Sequence, residues 1–307
     1  MSRLVLGSRG SALALAQVRI VQEALRLSHP DLSIELKILA TSGDRRQDLR
    51  AGEGSPAGLK GLFTKEIQDA LLDGSIDAAV HSLKDLPGIT PPALGLAAVL
   101  PRADTSDLLI SALHANLDSL PLGARIGTGS VRRRRQLQWL RPGLDVIDLR
   151  GNVPTRLQKL TALSLDAIVL ARAGLDRLGY SIAGGLLDCH AGSFHVTPLD
   201  ILPAIGQGAI GIETRWADAS TRAILSTIDH LPTHACIRVE RELLRLLDGD
   251  CRLPVAARAT LDDSAILHAD ALVFPDDDAS PPAQAHATGP ASDPEAVAVL
   301  LFNGLSR

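Results

Sequence analysis

The chain has 307 residues, of which 46% are hydrophobic and 21% are charged, with a formal net charge of −4 at pH 7. This composition predicts a globular protein of two or three domains, and an aromatic content of 2% with a pI near 6.1 argues against a general nucleic-acid binder. No early segment has the pattern of a signal peptide or a membrane span, and three cysteines at no framework spacing favour free thiols in a reducing compartment. We therefore expect a cytoplasmic protein that binds neither nucleic acid nor membrane.

The first third of the chain predicts an α/β unit. "RLVLGS" has the pattern of a strand, and after a Gly/Ser turn "ALALAQVRIVQEALRL" has that of an amphipathic helix. "LSIELKILA" predicts a second strand, residues 41–58 a polar, Gly-rich loop, and "LFTKEIQDALL" a helix. "SIDAAVHS" and "LGLAAVLP" then predict two further strands.

The middle of the chain repeats this order of elements. "ARIGTGSVRRRRQLQWL" is again a strand, a Gly/Ser turn and a helix, "LDVIDLRG" and "VPTRLQKLTAL" follow as strand and helix, and "SLDAIVLARAGL" matches "SIDAAVHSLKDL". Two similar units in tandem predict two lobes with a cleft between them, with chance similarity of α/β units as the alternative. In such sheets ligands collect at the carboxyl ends of the strands.

The last third of the chain predicts a smaller domain. "LPAIGQGAIGIETR" contains a strand that crosses back into the first lobe, and "THACIRVERELLRLLDG" is an amphipathic helix that Gly249 would end. "VAARATL" and "AILHADALVF" alternate like strands with one wet face. A low-complexity stretch, Asp276 to Ser292, precedes a last helix with Asp293 as cap and Pro294 at its first position. The predicted domains are residues 1–103 with 204–226, residues 104–203, and residues 227–307.

Four consecutive arginines stand directly after the turn "GTGS". If Ser130 caps the helix, Arg132 and Arg133 occupy its first turn, where cations oppose the helix macrodipole. A charge run is usually a solvated helix face. However, Arg133 shares an inward i, i+4, i+7 stripe with Leu137 and Leu140, and an anion between these arginines and the helix end would satisfy both.

Other arginines occupy equivalent places after predicted strands. Arg9 lies in the first turn, Arg150 ends a strand, Arg156 opens the next helix, and Arg177 follows "AIVLA". Each arginine alone is expected to be an ordinary solvent-exposed residue. Together they indicate a binding site for a polyanion, because guanidinium groups form paired hydrogen bonds with carboxylates and phosphates. No Walker motif and no G-x-G-x-x-G after a strand is present.

Two further candidates stand outside the arginine set. Asp85, in "VHSLKDLP", ends a strand beside Lys84 and is either a turn aspartate or an acid that serves a cationic intermediate. Cys251, in "DGDCRLP", is either a small buried hydrophobe or an attachment point on a loop, and a helix C-terminus does not lower its pKa. Three residues at possible metal-ligand spacing are better explained as core or surface residues: His230, His234 and Cys236.

The chain resembles the porphobilinogen deaminase family along nearly its whole length. The resemblance rests on long stretches in the family's order: "SRGSALALAQ", "TSGD", "LKGLFTKEIQDALLDGSIDAAVHSLKDLP", "IGTGSVRRRRQLQ", "LRGNVPTRLQKL", "DAIVLARAGLDRL", "LPAIGQGAIGIE" and "DGDCRLPVA". It implies an α/β fold of two lobes like those of type II periplasmic binding proteins, with a small α+β C-terminal domain. It also implies a monomer that acts in tetrapyrrole biosynthesis.

By the same resemblance, Cys251 carries a dipyrromethane cofactor through a thioether bond. Four porphobilinogen molecules are deaminated and joined head to tail onto it, and water then releases hydroxymethylbilane. Asp85 corresponds to the catalytic acid. The positions that match cofactor-binding residues are Lys84, Thr128, Ser130, Arg132, Arg133 and Arg156, and those that match substrate-binding residues are Arg9, Lys60, Arg150, Arg156 and Arg177.

The sequence departs from the family pattern at a few positions. Gly249-Asp250 replaces the paired glycines before the cysteine, "GLKG" replaces "GGKG", and the additional Arg134 and Arg135 are expected to be solvated. A bilobed receptor for a polycarboxylate is the alternative function, but it does not account for a third domain that presents a cysteine. A regulator's effector domain would need a helix-turn-helix segment, for which the N-terminus leaves no room.

Overall fold

A computed structural model describes residues 3–40, 64–248, 254–275 and 280–305. These residues form two mixed sheets with helices around them and one small antiparallel sheet. The predicted α/β class is thereby confirmed. The predicted loop at 41–58 lies outside the described residues, and no helix among those described is long and apolar enough to span a bilayer.

The first sheet has five strands in the order β2-β1-β3-β12-β4. β1, β2 and β3 are parallel, and β12 pairs antiparallel with both β3 and β4. The predicted strand that returns to the first lobe is therefore correct. The first helix begins at Ser11, whose Oγ accepts a hydrogen bond from Ala14 N at 3.2 Å, and its apolar stripe packs on the sheet. The strands are β1 Arg3–Ser8, β2 Ser33–Ile38, β3 Ala78–Ser82, β4 Leu94–Val99 and β12 Ile210–Arg215, and the helices are α1 Ala12–Ser28, α2 Lys65–Leu72 and α6 Ala219–Ser226.

The second sheet has seven strands in the order β7-β6-β8-β5-β11-β10-β9. Its parallel strands β7-β6-β8 have the arrangement of β2-β1-β3 in the first sheet. β6 and β7 are each followed by a turn and a helix, and β8 runs directly into the helix that begins at Arg172. The repeated order of elements is therefore confirmed. The strands are β5 Asp107–Ser111, β6 Arg125–Gly127, β7 Asp145–Ile147, β8 Ala167–Ala171, β9 Ile182–Ala183, β10 Leu186–Cys189 and β11 Gly192–Leu199, and the helices are α3 Val131–Leu140, α4 Val153–Ala162 and α5 Arg172–Arg177.

The third sheet, β13-β14-β15, carries two helices on its apolar face. Asp293 caps the last helix as predicted, since its Oδ1 accepts from Ala296 N at 3.1 Å. The prediction was incomplete in the low-complexity stretch, because a third strand lies there and its small alanines give little hydrophobic signal. The helix before this sheet ends at Leu246, and Asp248, two residues later, has a φ of 48°. Gly249, which was predicted to end this helix, lies outside the described residues. The elements are α7 Leu231–Leu246, β13 Val255–Leu261, β14 Ile266–Val273, β15 Ala283–Pro290 and α8 Pro294–Leu305.

One buried carboxylate joins the third sheet to both chain crossings between the larger sheets. Glu240 on α7 is 1% exposed, and it accepts from Arg102 Nη1 at 2.5 Å and from Arg102 Nη2 at 3.0 Å. It also accepts from Gly206 N at 2.8 Å and from Ala259 N at 2.9 Å. Arg102 lies on the first crossing, Gly206 on the second, and Ala259 on β13. Glu240 thus ties both crossings to the third sheet.

Candidate active site

The predicted acid and its neighbour lie at the carboxyl end of β3. Leu83, Lys84 and Asp85 form a single 3-10 turn directly after the strand. Leu83 is buried, and its N–H donates to Ala209 O at 3.1 Å. This contact fixes the turn against the chain that returns from the second lobe, so Lys84 and Asp85 stand beside the crossing.

The turn before α3 supplies the corresponding edge of the second sheet. Thr128 is buried, and its N–H donates to Ile147 O at 2.9 Å. Ser130 N donates to Thr128 Oγ1 at 3.2 Å, and Ser130 Oγ accepts from Arg133 N at 3.4 Å. The predicted cap is confirmed, and it directs the first helical turn, with its arginines, toward the crossing.

Arg132 and Arg133 are 4% and 5% exposed and converge on one fully buried carboxylate, Asp107. Arg132 Nη2 donates to Asp107 Oδ2 at 2.6 Å, and Arg133 donates to Asp107 Oδ1 from Nη2 at 2.7 Å and from Nε at 3.1 Å. Gln207 Nε2 donates to the same Oδ1 at 2.9 Å. Burial would raise the pKa of Asp107, but the two guanidinium groups hold it well below its usual range. The anion between these two arginines is therefore the Asp107 carboxylate of the protein itself, and not a bound ligand.

The arginine pair keeps some capacity for a ligand. Arg132 Nη1 donates to Leu202 O at 2.5 Å, whereas the buried Arg132 Nε has no hydrogen-bond partner among the described residues. Two guanidinium groups share one carboxylate, so this group of three residues has a net positive charge. A buried N–H donor without an acceptor is costly, and a ligand carboxylate would satisfy both the donor and the charge.

Cations from both lobes lie within electrostatic range of Asp85. Burial, with the charges of Arg133 and Arg132, lowers the pKa of Lys84 to about 8, while Asp85 and Asp107 oppose the shift. Burial, followed by the charge of Arg133, lowers the pKa of Arg156 to about 10, and Asp85 again opposes it. Lys84 comes from the first lobe and Arg156 from the second. Asp85 therefore lies within electrostatic range of cations from both lobes.

The remaining predicted residues differ in their surroundings. Arg9 is half-buried in the turn between β1 and α1, and Arg150 is 53% exposed, with its Nε donating to Asp148 Oδ2 at 3.0 Å. Arg177 Nη2 donates to Gly208 O at 2.7 Å, and burial lowers its pKa to about 10. Cys251 and Lys60 lie outside the described residues. The residues brought together are Lys84, Asp85, Arg132, Arg133 and Arg156.

Sequence reasoning missed Asp107 and misplaced two residues of α3. Arg135, expected to be solvated, is only 9% exposed and lies over the ring of Phe274 at 5.5 Å from its centroid. Leu140, expected on the inward stripe, is 47% exposed. Arg135 is buried because Phe274, directly after β14, covers the face of α3 that carries it. A lone aspartate at the start of the apolar run "DLLIS" was the available signal for Asp107.

The residues considered for a metal have other roles. His230 caps α7, with its Nδ1 accepting from Thr233 N at 3.3 Å. His234 Nδ1 lies 2.9 Å from Asp229 Oδ1. Cys236 is a buried free thiol whose pKa burial raises to about 11. Within the described ranges, no group of three or more His, Cys, Asp or Glu residues is arranged to hold a metal ion.

Comparison with known families assigns both parts of the chain. The family described as "Porphobilinogen deaminase, dipyromethane cofactor binding domain" matches residues 4–223, and "Porphobilinogen deaminase, C-terminal domain" matches residues 234–305. The chain belongs to the porphobilinogen deaminase family.

Individual relatives agree with this assignment. The porphobilinogen deaminase of Moorella thermoacetica is 46% identical over 268 residues, which are 87% of this chain and 82% of the relative. That of Syntrophobacter fumaroxidans is 42% identical over 261 residues, 85% of this chain and 81% of the relative. Among solved structures, an arginine transport periplasmic binding protein from Legionella pneumophila covers 74% of this chain and 92% of that chain, at 16% identity and a TM-score of 0.41.

Proposed function

We propose that the chain is a porphobilinogen deaminase. It deaminates four porphobilinogen molecules, joins them head to tail onto a dipyrromethane cofactor and releases hydroxymethylbilane for tetrapyrrole biosynthesis. Family membership supports this function. The structural observation that carries it is the buried arginine pair, whose Arg132 Nε has no hydrogen-bond partner among the described residues. Both this pair and Asp85 lie within electrostatic range of Lys84.

The residues present fit a dipyrromethane group. Its acetate and propionate side chains are carboxylates, and the arginine pair offers a buried N–H donor and a net positive charge for them. When bound, the group supplies the pyrrole end onto which new pyrroles are added. The residues that would hold it are Cys251 through the thioether, Lys84, Thr128, Ser130, Arg132, Arg133 and Arg156.

In this proposal Asp85 does the proton work. Its carboxyl group donates a proton to the amine that leaves porphobilinogen as ammonia, and its carboxylate then faces the positive charge that develops on the pyrrole. Beside it, Lys84 neutralises carboxylates of the cofactor, and Arg156 those of the cofactor and of the substrate. Each added pyrrole brings two negative charges, so a cleft with an excess of cations stabilises the growing chain.

We further propose substrate-binding roles for Arg9, Lys60, Arg150 and Arg177.

We also propose three domains, formed by residues 1–103 with 204–226, residues 104–203, and residues 227–307. The division is supported by the sheets, since the strands of each lie inside one proposed domain. We propose a monomer, as the resemblance to the family implies. The two described cysteines are free thiols, in line with a cytoplasmic location.

Intact-mass measurement on freshly purified, active protein tests this function. We expect the mass of the polypeptide plus two pyrrole units, with the addition mapped to Cys251. Asp85→Asn should keep the fold and the addition but lose nearly all turnover, whereas the matched change Asp69→Asn at an exposed position of α2 should not affect turnover. A bare polypeptide that binds polycarboxylates reversibly would instead support the receptor function, and normal turnover in Asp85→Asn would exclude Asp85 from the mechanism.

A further inference from the structure

A second concave site lies between α3 and the third sheet, away from the proposed active site. The cavity has a volume of about 540 Å³, within the range of small-molecule sites. One wall is formed by Trp139 and Leu140 of α3, a second by Asp200 to Pro203 of the second crossing, and a third by Arg258 and His286 of the third sheet. Trp139 is seven residues beyond Arg132, or about 10 Å along the helix axis.

The apolar wall of this cavity is exposed and already in place. Trp139 and Leu140 are 44% and 47% exposed. The indole packs edge-on against Phe274, with ring centroids 6.3 Å apart and an interplanar angle of 76°. This contact fixes the Trp139 ring, and a fixed, half-exposed indole is a surface on which a flat aromatic group packs well.

Besides the Asp270–His286 pair, two charged side chains of opposite sign line the cavity, Arg258 and Asp200, and Arg258 lies within electrostatic range of Asp104. Arg258 and Asp200 are both exposed, and neither forms a hydrogen bond or an ion pair with another described residue. Asp270 is directly opposite Arg258 in the sheet, but its Oδ1 is 2.8 Å from His286 Nδ1. Arg258 therefore offers a donor for a carboxylate, and Asp200, together with the face of Trp139, suits an ammonium group.

We propose that this cavity is a regulatory site for a small zwitterion with an aromatic ring, of the class of the aromatic amino acids. The ring packs on Trp139 and Leu140, the carboxylate binds Arg258, and the ammonium group binds Asp200. This inference goes beyond the proposed function, because no residue of the cavity belongs to the proposed machinery.

The cavity is connected to the proposed active site through Leu202, which lines it. Leu202 O accepts from Arg132 Nη1 at 2.5 Å and from Gln136 Nε2 at 2.9 Å, and Leu202 N donates to Gln136 Oε1 at 2.8 Å. A ligand that packs against this wall restrains the carbonyl group that orients Arg132. Occupation of the cavity should therefore change the rate of the enzyme.

Binding can be measured with Trp139 as the probe. The chain has two tryptophans, so Trp216→Phe leaves Trp139 as the only tryptophan, and its emission is followed while L-phenylalanine is added. We expect a saturable change in emission. Phenethylamine, which lacks the carboxylate, and 3-phenylpropionate, which lacks the ammonium group, should bind about five- to tenfold more weakly. Emission that does not saturate with L-phenylalanine would overturn the site.

Variants identify the two charged contacts. In the Trp216→Phe background, Arg258→Met and Asp200→Asn should each weaken L-phenylalanine binding about five- to tenfold, and Arg19→Met, an exposed position on α1, should not. Both variants should unfold close to the wild-type temperature, because neither side chain has a hydrogen bond to another described residue and Arg258 loses only a longer-range attraction to Asp104. Unchanged affinity in both variants would overturn the assignment.

Turnover tests the regulatory part on the holoenzyme. At a concentration near its dissociation constant for the wild type, L-phenylalanine should change the rate of hydroxymethylbilane formation by the wild type and should change it much less in Arg258→Met. A bound ligand without any effect on the rate would refute regulation. The rate without L-phenylalanine tests the proposed function independently.

Discussion

Asp107→Asn removes the carboxylate charge that two buried guanidinium groups share. Asp107 is fully buried, and its oxygens accept three hydrogen bonds from Arg132 and Arg133 and one from Gln207. Breaking a buried ion pair by removal of one partner costs about 3–5 kcal/mol, because the other charge stays buried. For a protein whose total stability is of order 5–15 kcal/mol, this loss should lower the unfolding temperature by roughly 10 °C.

Urea unfolding of the wild type, Asp107→Asn and the matched variant Asp145→Asn measures this effect. Asp145 is an exposed residue of the edge strand β7, so its change should stay within about 0.5 kcal/mol. The pKa of Asp107 is lowered in the folded state, so its contribution is present above the unfolded value of about 4 and is lost as the pH falls through the folded value. The difference between wild type and Asp107→Asn should therefore shrink in strong acid. An Asp107→Asn protein as stable as Asp145→Asn at pH 7 would refute the reasoning.

Three other predictions concern charge, the crossings and the thiols. Since the pKa of Lys84 is lowered to about 8, this side chain loses its positive charge as the pH rises through 8. The rate at which the cofactor attaches to cofactor-free protein, followed by mass, should therefore fall over that range, and Lys84→Arg should remove the fall. Identical pH profiles of the wild type and Lys84→Arg would contradict a role of that charge. Glu240→Gln should lower the free energy of unfolding in urea by about 3–5 kcal/mol, because Arg102 stays buried without its carboxylate. Glu242→Gln breaks only a surface pair with Arg245 and should lower it by at most about 1 kcal/mol. Equal losses in the two variants would count against the contact of Glu240 with the crossings. Cys236→Ala should retain the two-pyrrole addition and Cys251→Ser should lack it, as read by intact mass, and an addition that persists in Cys251→Ser would place the attachment elsewhere.

Local sequence patterns were sufficient to predict most strands and helices of the two large sheets. Strand, turn and helix signals repeat there with clear apolar periodicity, and the Ser130 cap was predictable from its position before the arginines. Asp107 was not predictable, because it lies 25 residues from Arg132 in the chain and meets it only through the pairing of β5 with β8. The strand β15 was missed because its apolar positions are alanines, which alternate with glutamine, histidine and threonine and give little hydrophobic contrast. Arg135 was misjudged because the face of α3 that carries it is covered by a residue 139 positions later.

The position of β12 has a consequence for the order in which the protein assembles during synthesis. Residues 107–199 supply every strand of the second sheet, whereas the first sheet needs residues 210–215 between β3 and β4. Until those residues leave the ribosome, β3 and β4 present unpaired edges to one another. The second lobe can therefore complete its hydrogen bonding while the first, although translated earlier, is still open, and the nascent chain is most exposed to aggregation in that interval.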